Sequence, residues 1–146
     1  MYRSAAETVF CTTLTLLVSA ISFSYLYATL LFNDLDADAI NTVELCERLN
    51  WLTAGQFALQ AVLLATFLSR RHVALALVST IGLASHIDWQ RFKLFHYDST
   101  TIVTDQLKER QLYTARLVLS LAILFFTLHD LLQTFVASSG HFGRVL

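Results

Sequence analysis

Hydrophobic residues along this chain gather into long blocks separated by short polar segments. From Thr8 to Asn33 there are 26 residues without an Asp, Glu, Lys, Arg or His. About 20 helical residues cross the hydrocarbon core of a bilayer, so this block predicts a membrane span. A second uncharged block, Leu49 to Ser69, ends at Arg70-Arg71-His72 and is followed by a third from Val73 to Ser85. Read as one helix, the two would place both arginines in lipid at about +2.5 to +3.5 kcal/mol each, so a tight hairpin between two spans is expected. The fourth block, Leu117 to Leu128, continues through His129 and Asp130 to Val136. The pattern predicts an all-α integral membrane protein, one domain over 1–146, with four transmembrane helices at approximately 8–32, 51–69, 73–92 and 115–136.

Composition agrees with lipid as the solvent. The 146 residues are 55% hydrophobic and 14% charged, against roughly 25% charged in a soluble domain. With 10 Lys+Arg against 11 Asp+Glu there is no basic field for nucleic acid, which excludes a nucleic-acid binder. Cys11 and Cys46 form no Cys/His cluster, so neither a disulfide framework nor a zinc site is expected. Val18-Ser19-Ala20 resembles a signal-peptide cleavage site, but the apolar block runs on to Phe32, so an uncleaved span is expected. Four spans put both termini on one side with Arg3, Arg70, Arg71 and Arg144; the other side holds Arg48, Arg91, Lys93, Lys108, Arg110 and Arg116. The larger basic count places the two longer loops in the cytosol.

Within the spans, Ala20, Ser24 and Ala28 repeat every fourth residue, the small-residue spacing that lets helices approach closely in lipid. Thr53, Gln56 and Gln60 share a face of the second span. A primary amide facing acyl chains lacks partners, so this face meets either the other spans or a partner's helix. His86 with Asp88, and His129 with Asp130, are ionisable groups inside the apolar blocks. Facing histidines can ligate haem or a metal, but these two differ in depth by roughly 10 Å at 1.5 Å per residue, so no metal and no cofactor is expected. Asp130 or His129 is expected to hydrogen-bond a Ser, Thr or Tyr of a neighbouring span, or to bind a partner.

The loop from Asn33 to Asn50 opens with Asp34, Asp36 and Asp38, which imitate the first positions of a calcium loop. Ala39 stands where that loop needs Gly and Leu45 where it needs Glu, so calcium binding is not expected. Asn41 followed three residues later by Glu44 predicts a helix start, and Val43, Cys46 and Leu49 on one face predict a short amphipathic helix before the second span. Cys46 has no neighbouring activator and reads as packing.

The segment Asp34-Leu35-Asp36-Ala37-Asp38-Ala39-Ile40-Asn41-Thr42-Val43-Glu44-Leu45-Cys46 resembles the cornichon family signature, approximately D-L-E-A-D-Y-I-N-P-I-E-L-C after the first span. Asp34, Asp36, Asp38, Asn41, Glu44 and Cys46 carry that match. Tyr97-Asp98-Ser99-Thr100-Thr101-Ile102-Val103 resembles the family's L-D-A-T-E-I-F segment. The chain departs at Thr42 for the family's Pro, at Thr101 for its Glu, at Val103 for its aromatic residue and at Thr104 for its basic residue.

The resemblance implies a transmembrane cargo receptor, not an enzyme. It would select membrane-protein clients in the endoplasmic reticulum, couple them to the COPII coat and cycle to the Golgi, with both termini luminal. The family's coat-contacting stretch falls here on Ile102, Val103 and Thr104, and a receptor of this kind makes the Thr53, Gln56 and Gln60 face the candidate cargo-binding surface. The alternative the family offers is an auxiliary subunit that stays bound to a channel or transporter.

Overall fold

The computed structural model describes residues 2–69, 73–88, 93–94 and 96–142. The segment Arg70-Arg71-His72, where the sequence predicts a hairpin, lies outside the described residues together with Arg91, Arg144 and the side chains of Arg3, Asp88 and Lys93. The chain is built from helices α1 (Tyr2–Asp36), α2 (Thr42–Ser69), α3 (Val73–Ala84) and α4 (Ser99–Phe142). Between α3 and α4, two short strands β1 (Ile87–Asp88) and β2 (Lys93–Leu94) pair antiparallel, with Ile87 opposite Leu94 and Asp88 opposite Lys93.

Among the described residues, three helices are long and apolar enough to cross a membrane, Ala5–Asp36, Thr42–Ser69 and Ser99–Ala137. Among their exposed side chains are Leu16, Phe23, Leu30, Trp51, Val62 and Phe125, a distribution that fits lipid as the surrounding medium. The third apolar helix is different. At 12 residues α3 rises only about 18 Å, less than the roughly 30 Å of a hydrocarbon core. The expected third span to residue 92 therefore does not continue as one helix: it ends at Ala84, and Ser85 and His86 form a turn.

α1 and α4 run antiparallel along their length. Cys11 Sγ meets Thr134 Oγ1 at 3.8 Å near one end, and Arg110 reaches Asn33 and Asp36 near the other. α2 packs beside α1, and α3 folds back on α2. The core between them holds Val18, Ile21, Tyr25, Phe32, Leu49, Leu63, Phe67 and Tyr113.

Local chemistry sets the helix ends. α1 stops in a Schellman motif: Ala39 N–H donates to Asp34 O at 2.8 Å and Asp38 N–H to Leu35 O at 3.1 Å. The left-handed residue that this motif requires is Asp38, with φ of 56°. Asp tolerates that region better than most residues because its short side chain bonds locally. α2 starts as the sequence predicts, with Glu44 N–H donating to Asn41 Oδ1 at 2.8 Å.

The separate amphipathic helix is not seen, because the helix begun at Thr42 runs without a break to Ser69. Its first turns bury Leu45, Cys46 and Leu49, while Val43, expected on that apolar face, points outward at 63% exposure.

Candidate functional site

The family-signature residues and the segment after Tyr97 converge at one end of the bundle. Asp36, at the last turn of α1, accepts from Arg110 Nη1 at 2.6 Å and from Gln106 Nε2 at 2.7 Å, both on α4. Arg110 Nη2 also donates to Asn33 Oδ1 at 2.7 Å. The middle acid of the Asp34-Asp36-Asp38 series thus clamps α1 to α4, while Asp38 supplies the turn. Glu44 pairs with Arg48 along α2, where the Arg48 guanidinium also reaches Tyr27 Oη at 3.3 Å.

Asn50 ties the second family-like segment, at Tyr97, to α2. Its Nδ2 donates to Tyr97 O at 3.0 Å and its Oδ1 accepts from Tyr97 N–H at 2.7 Å, so one carboxamide satisfies both backbone groups of one residue. The Tyr97 side chain is buried and donates from Oη to Glu109 Oε2 at 3.1 Å. Burial, reinforced by Tyr113 and Glu109, pushes the Tyr97 hydroxyl far above its ordinary pKa, which keeps it a donor. Next in sequence, Asp98 starts α4: its Oδ1 accepts from Thr100 N–H at 3.0 Å and its carbonyl from Ile102 N–H at 3.0 Å. The segment after Tyr97 is therefore helix rather than loop, and a helix splits neighbours between faces. Ile102 is buried at 3% exposure, whereas Val103 is 60% exposed. Thr104 is exposed, its hydroxyl donating to Thr101 O at 2.7 Å.

Deeper in the bundle lies a polar centre that the charge pattern did not announce. Arg116, counted above among loop charges, is buried at 4% exposure on α4. Its Nε donates to Ser85 Oγ at 2.9 Å, its Nη2 to Ser85 O, and its guanidinium lies 4.9 Å over the Tyr113 ring. Ser85 follows the last residue of α3, so Arg116 supplies a cation and a donor to carbonyls that a helix ending inside the bundle would leave unpaired. Beside it His86, fully buried, shares a hydrogen bond of 2.9 Å with Tyr25 Oη, and the two rings stack at 5.9 Å. His86 thus bonds to a neighbouring helix, whereas among the described residues the expected bond from His129 or Asp130 to a neighbouring span is not seen. His129 sits on the exterior of α4, and among the described residues no cluster of His, Cys, Asp and Glu could hold a metal.

The stripe on α2 points inward in the single chain. Thr53, Gln56 and Gln60 are 1%, 1% and 3% exposed. Thr53 Oγ1 lies 3.4 Å from Tyr113 Oη, Gln56 Nε2 donates to Ser24 Oγ at 3.3 Å, and Gln60 Nε2 donates to Ser79 O at 3.3 Å. The amides find their partners on α1 and α3. Gly82 permits this: a Cβ there would stand 2.5 Å from Gln60 Nε2. Gln56 Oε1 is buried and accepts no hydrogen bond among the described residues, and Gln56 lines a groove of about 470 Å³ with Ser24, Trp51, Gly55 and Leu59. Of the small-residue series, Ala28 is buried and Ser24 half-buried, while Ala20 faces out.

Comparison with known proteins places the chain by its sequence. No solved structure matches the chain. ER-derived vesicles protein ERV15 of Saccharomyces cerevisiae is 47% identical over 47 residues, which is 32% of this chain and 33% of that protein. The chain thus aligns with about a third of that relative's length. The family model described as Cornichon protein matches residues 8–129, a stretch that holds the Asp36 clamp, the Asn50 tie and the Arg116 centre. The chain belongs to the cornichon family.

Proposed function

We propose that this protein is a transmembrane cargo receptor of the endoplasmic reticulum, selecting membrane-protein clients and coupling them to the COPII coat for passage to the Golgi. The observation that carries the reading is the convergence, at one end of the bundle, of the family signature and the Tyr97–Thr104 segment, joined through Asn50 and the Asp36–Arg110 clamp. In this reading that end is cytosolic, the chain crosses the membrane four times with α3 and the paired strands making the third crossing, and both termini are luminal.

A receptor needs a surface for the coat and a surface for clients. For the coat, Val103 and Thr104 present side chains outward at the start of α4, while Ile102 anchors the segment from beneath. For clients, Thr53, Gln56 and Gln60 hold α1, α2 and α3 in register, and the groove beside Gln56 offers a partner helix an apolar bed. Signature residues Asp34, Asp36, Asp38, Asn41, Glu44 and Cys46 act by holding the coat-facing end together.

Replacing Val103 with Asp tests the reading. Folding should be unchanged, because the side chain is exposed, while the protein should accumulate in the endoplasmic reticulum and lose coat recruitment. Normal cycling of that variant would exclude the proposed coat surface. An auxiliary-subunit role would instead show as persistent association with a client at its destination membrane.

A further inference from the structure

The outward face of α4 carries the ionisable His129 and Asp130 within a stretch that otherwise exposes Leu121, Phe125, Phe126, Leu128, Leu132 and Phe135. The His129 and Asp130 side chains are 57% and 53% exposed. Both contacts of the imidazole stay on its own helix: Nε2 lies 3.4 Å from Gln133 Nε2, and Nδ1 lies 3.9 Å from Asp130 Oδ1. Among the described residues no other donor reaches the Asp130 carboxylate.

Depth follows from the pairings between helices. Gln56 of α2 is level with Ser24 of α1. Thirteen residues further along each helix are Ser69, where α2 ends, and Cys11, which touches Thr134 of α4. The end of α2 thus marks the level of Thr134, and Asp130 lies one turn, about 6 Å, further into the apolar zone. Ionisable groups at such depth face protein or water rather than acyl chains.

Consecutive helical residues are separated by about 100°, so His129 and Asp130 flank a line that runs through Ala122, Phe126, Gln133 and Ala137. All four of these are exposed. Toward the Tyr97 end the same face continues as an open groove of about 630 Å³ over Ala115, Val118 and Ala122, where small side chains allow another backbone to come close.

We infer that this face of α4 docks a second copy of the chain, in the same membrane orientation, about a two-fold axis normal to the bilayer. The argument is charge complementarity under symmetry. A two-fold axis lays one flank of the line against the opposite flank of its copy, so His129 of each chain donates to Asp130 of the other, and the two Gln133 amides meet near the axis. Acid and imidazole are adjacent in sequence and lie at one depth in both copies. A second copy satisfies both groups at once, without help from a third component.

The test uses the full-length chain in lipid vesicles, with dimerisation read by single-molecule subunit counting across protein-to-lipid ratios. His129→Asp alone, or Asp130→His alone, sets like groups against each other. Each should weaken the dimer at least about eightfold, the equivalent of two interhelical hydrogen bonds of average measured strength in a membrane. The double exchange His129→Asp with Asp130→His restores the reciprocal pair and should restore the dimer, which a merely structural role would not do. If the single variants fail to fold, disulfide formation by Gln133→Cys in a Cys11→Ser, Cys46→Ser background supplies a second measure. It should exceed that of Leu121→Cys, about 120° away around α4. A chain that stays monomeric at every ratio would overturn the inference, as would equal cross-linking at both positions, failure of the exchange to rescue, or use of these residues for a co-reconstituted client alone.

Discussion

Replacing Asn50 with Ala should release the Tyr97 segment from α2 without unfolding the bundle. The carboxamide makes two backbone hydrogen bonds, to Tyr97 O at 3.0 Å and from Tyr97 N–H at 2.7 Å. Each contributes about 0.5–1.5 kcal/mol net, so removing both should cost about 1–3 kcal/mol of local stability. Because 1.4 kcal/mol is tenfold, the segment should open about 5- to 150-fold more often. Hydrogen exchange at the Tyr97 amide reads this opening directly, and amides in the middle of α2 and α4 should keep their protection. Asn50→Asp is the sharper control. It keeps an acceptor for the Tyr97 N–H but sets a second oxygen against the Tyr97 carbonyl, so it should be at least as disruptive as Ala. Wild-type protection at Tyr97 in either variant would refute the claim that this carboxamide holds the segment.

Further outcomes follow from other contacts. Asp38→Gly should raise thermal stability in detergent by up to about 1 kcal/mol and Asp38→Val should lower it, since the residue is left-handed with φ of 56°. Gly82→Ala should displace the Gln60 amide and lower the unfolding temperature, and Gln60→Ala in the same chain should recover part of the loss because the clashing atom belongs to that side chain. Ile102→Ala should destabilise the fold by about 2–5 kcal/mol, whereas Val103→Ala should leave stability unchanged within about 0.5 kcal/mol, as calorimetry or denaturant titration would show. The Asp36–Arg110 pair is roughly half exposed, so its double-mutant coupling should fall below about 1 kcal/mol and weaken with salt.

Much of the architecture was legible because charge is costly in lipid. The uncharged blocks located α1, α2 and α4, and the Asn41–Glu44 spacing located the start of α2. The same logic misplaced Arg116. A charge at the edge of an apolar block reads as a loop residue unless its acceptors are known, and those acceptors belong to Ser85, 31 positions away. Tyr113, one helical turn before Arg116, is a local signal for a stacked guanidinium. The early end of α3 was hidden for a related reason: Val73 to Ser85 is uniformly apolar or small, and the turn at His86 is stabilised by Tyr25 and Arg116 from other helices rather than by a local breaker.

The candidate site was legible as composition and not as orientation. Thr53, Gln56 and Gln60 were found as one polar face, but the direction of that face depends on Ser24 and Ser79, which the α2 sequence does not contain. Ile102 and Val103 fall between the expected third and fourth spans and so read as loop residues; Asp98 as a helix cap was the overlooked cue that places them on different faces of α4.

The central claim, that the protein carries clients into coated vesicles, is tested most directly by reconstituted budding from endoplasmic reticulum membranes with purified COPII components. The account predicts that the chain itself enters the vesicles and that particular membrane proteins enter only when it is present, with Val103→Asp abolishing both. A chain left behind in the donor membrane, or client packaging indifferent to its presence, would contradict it.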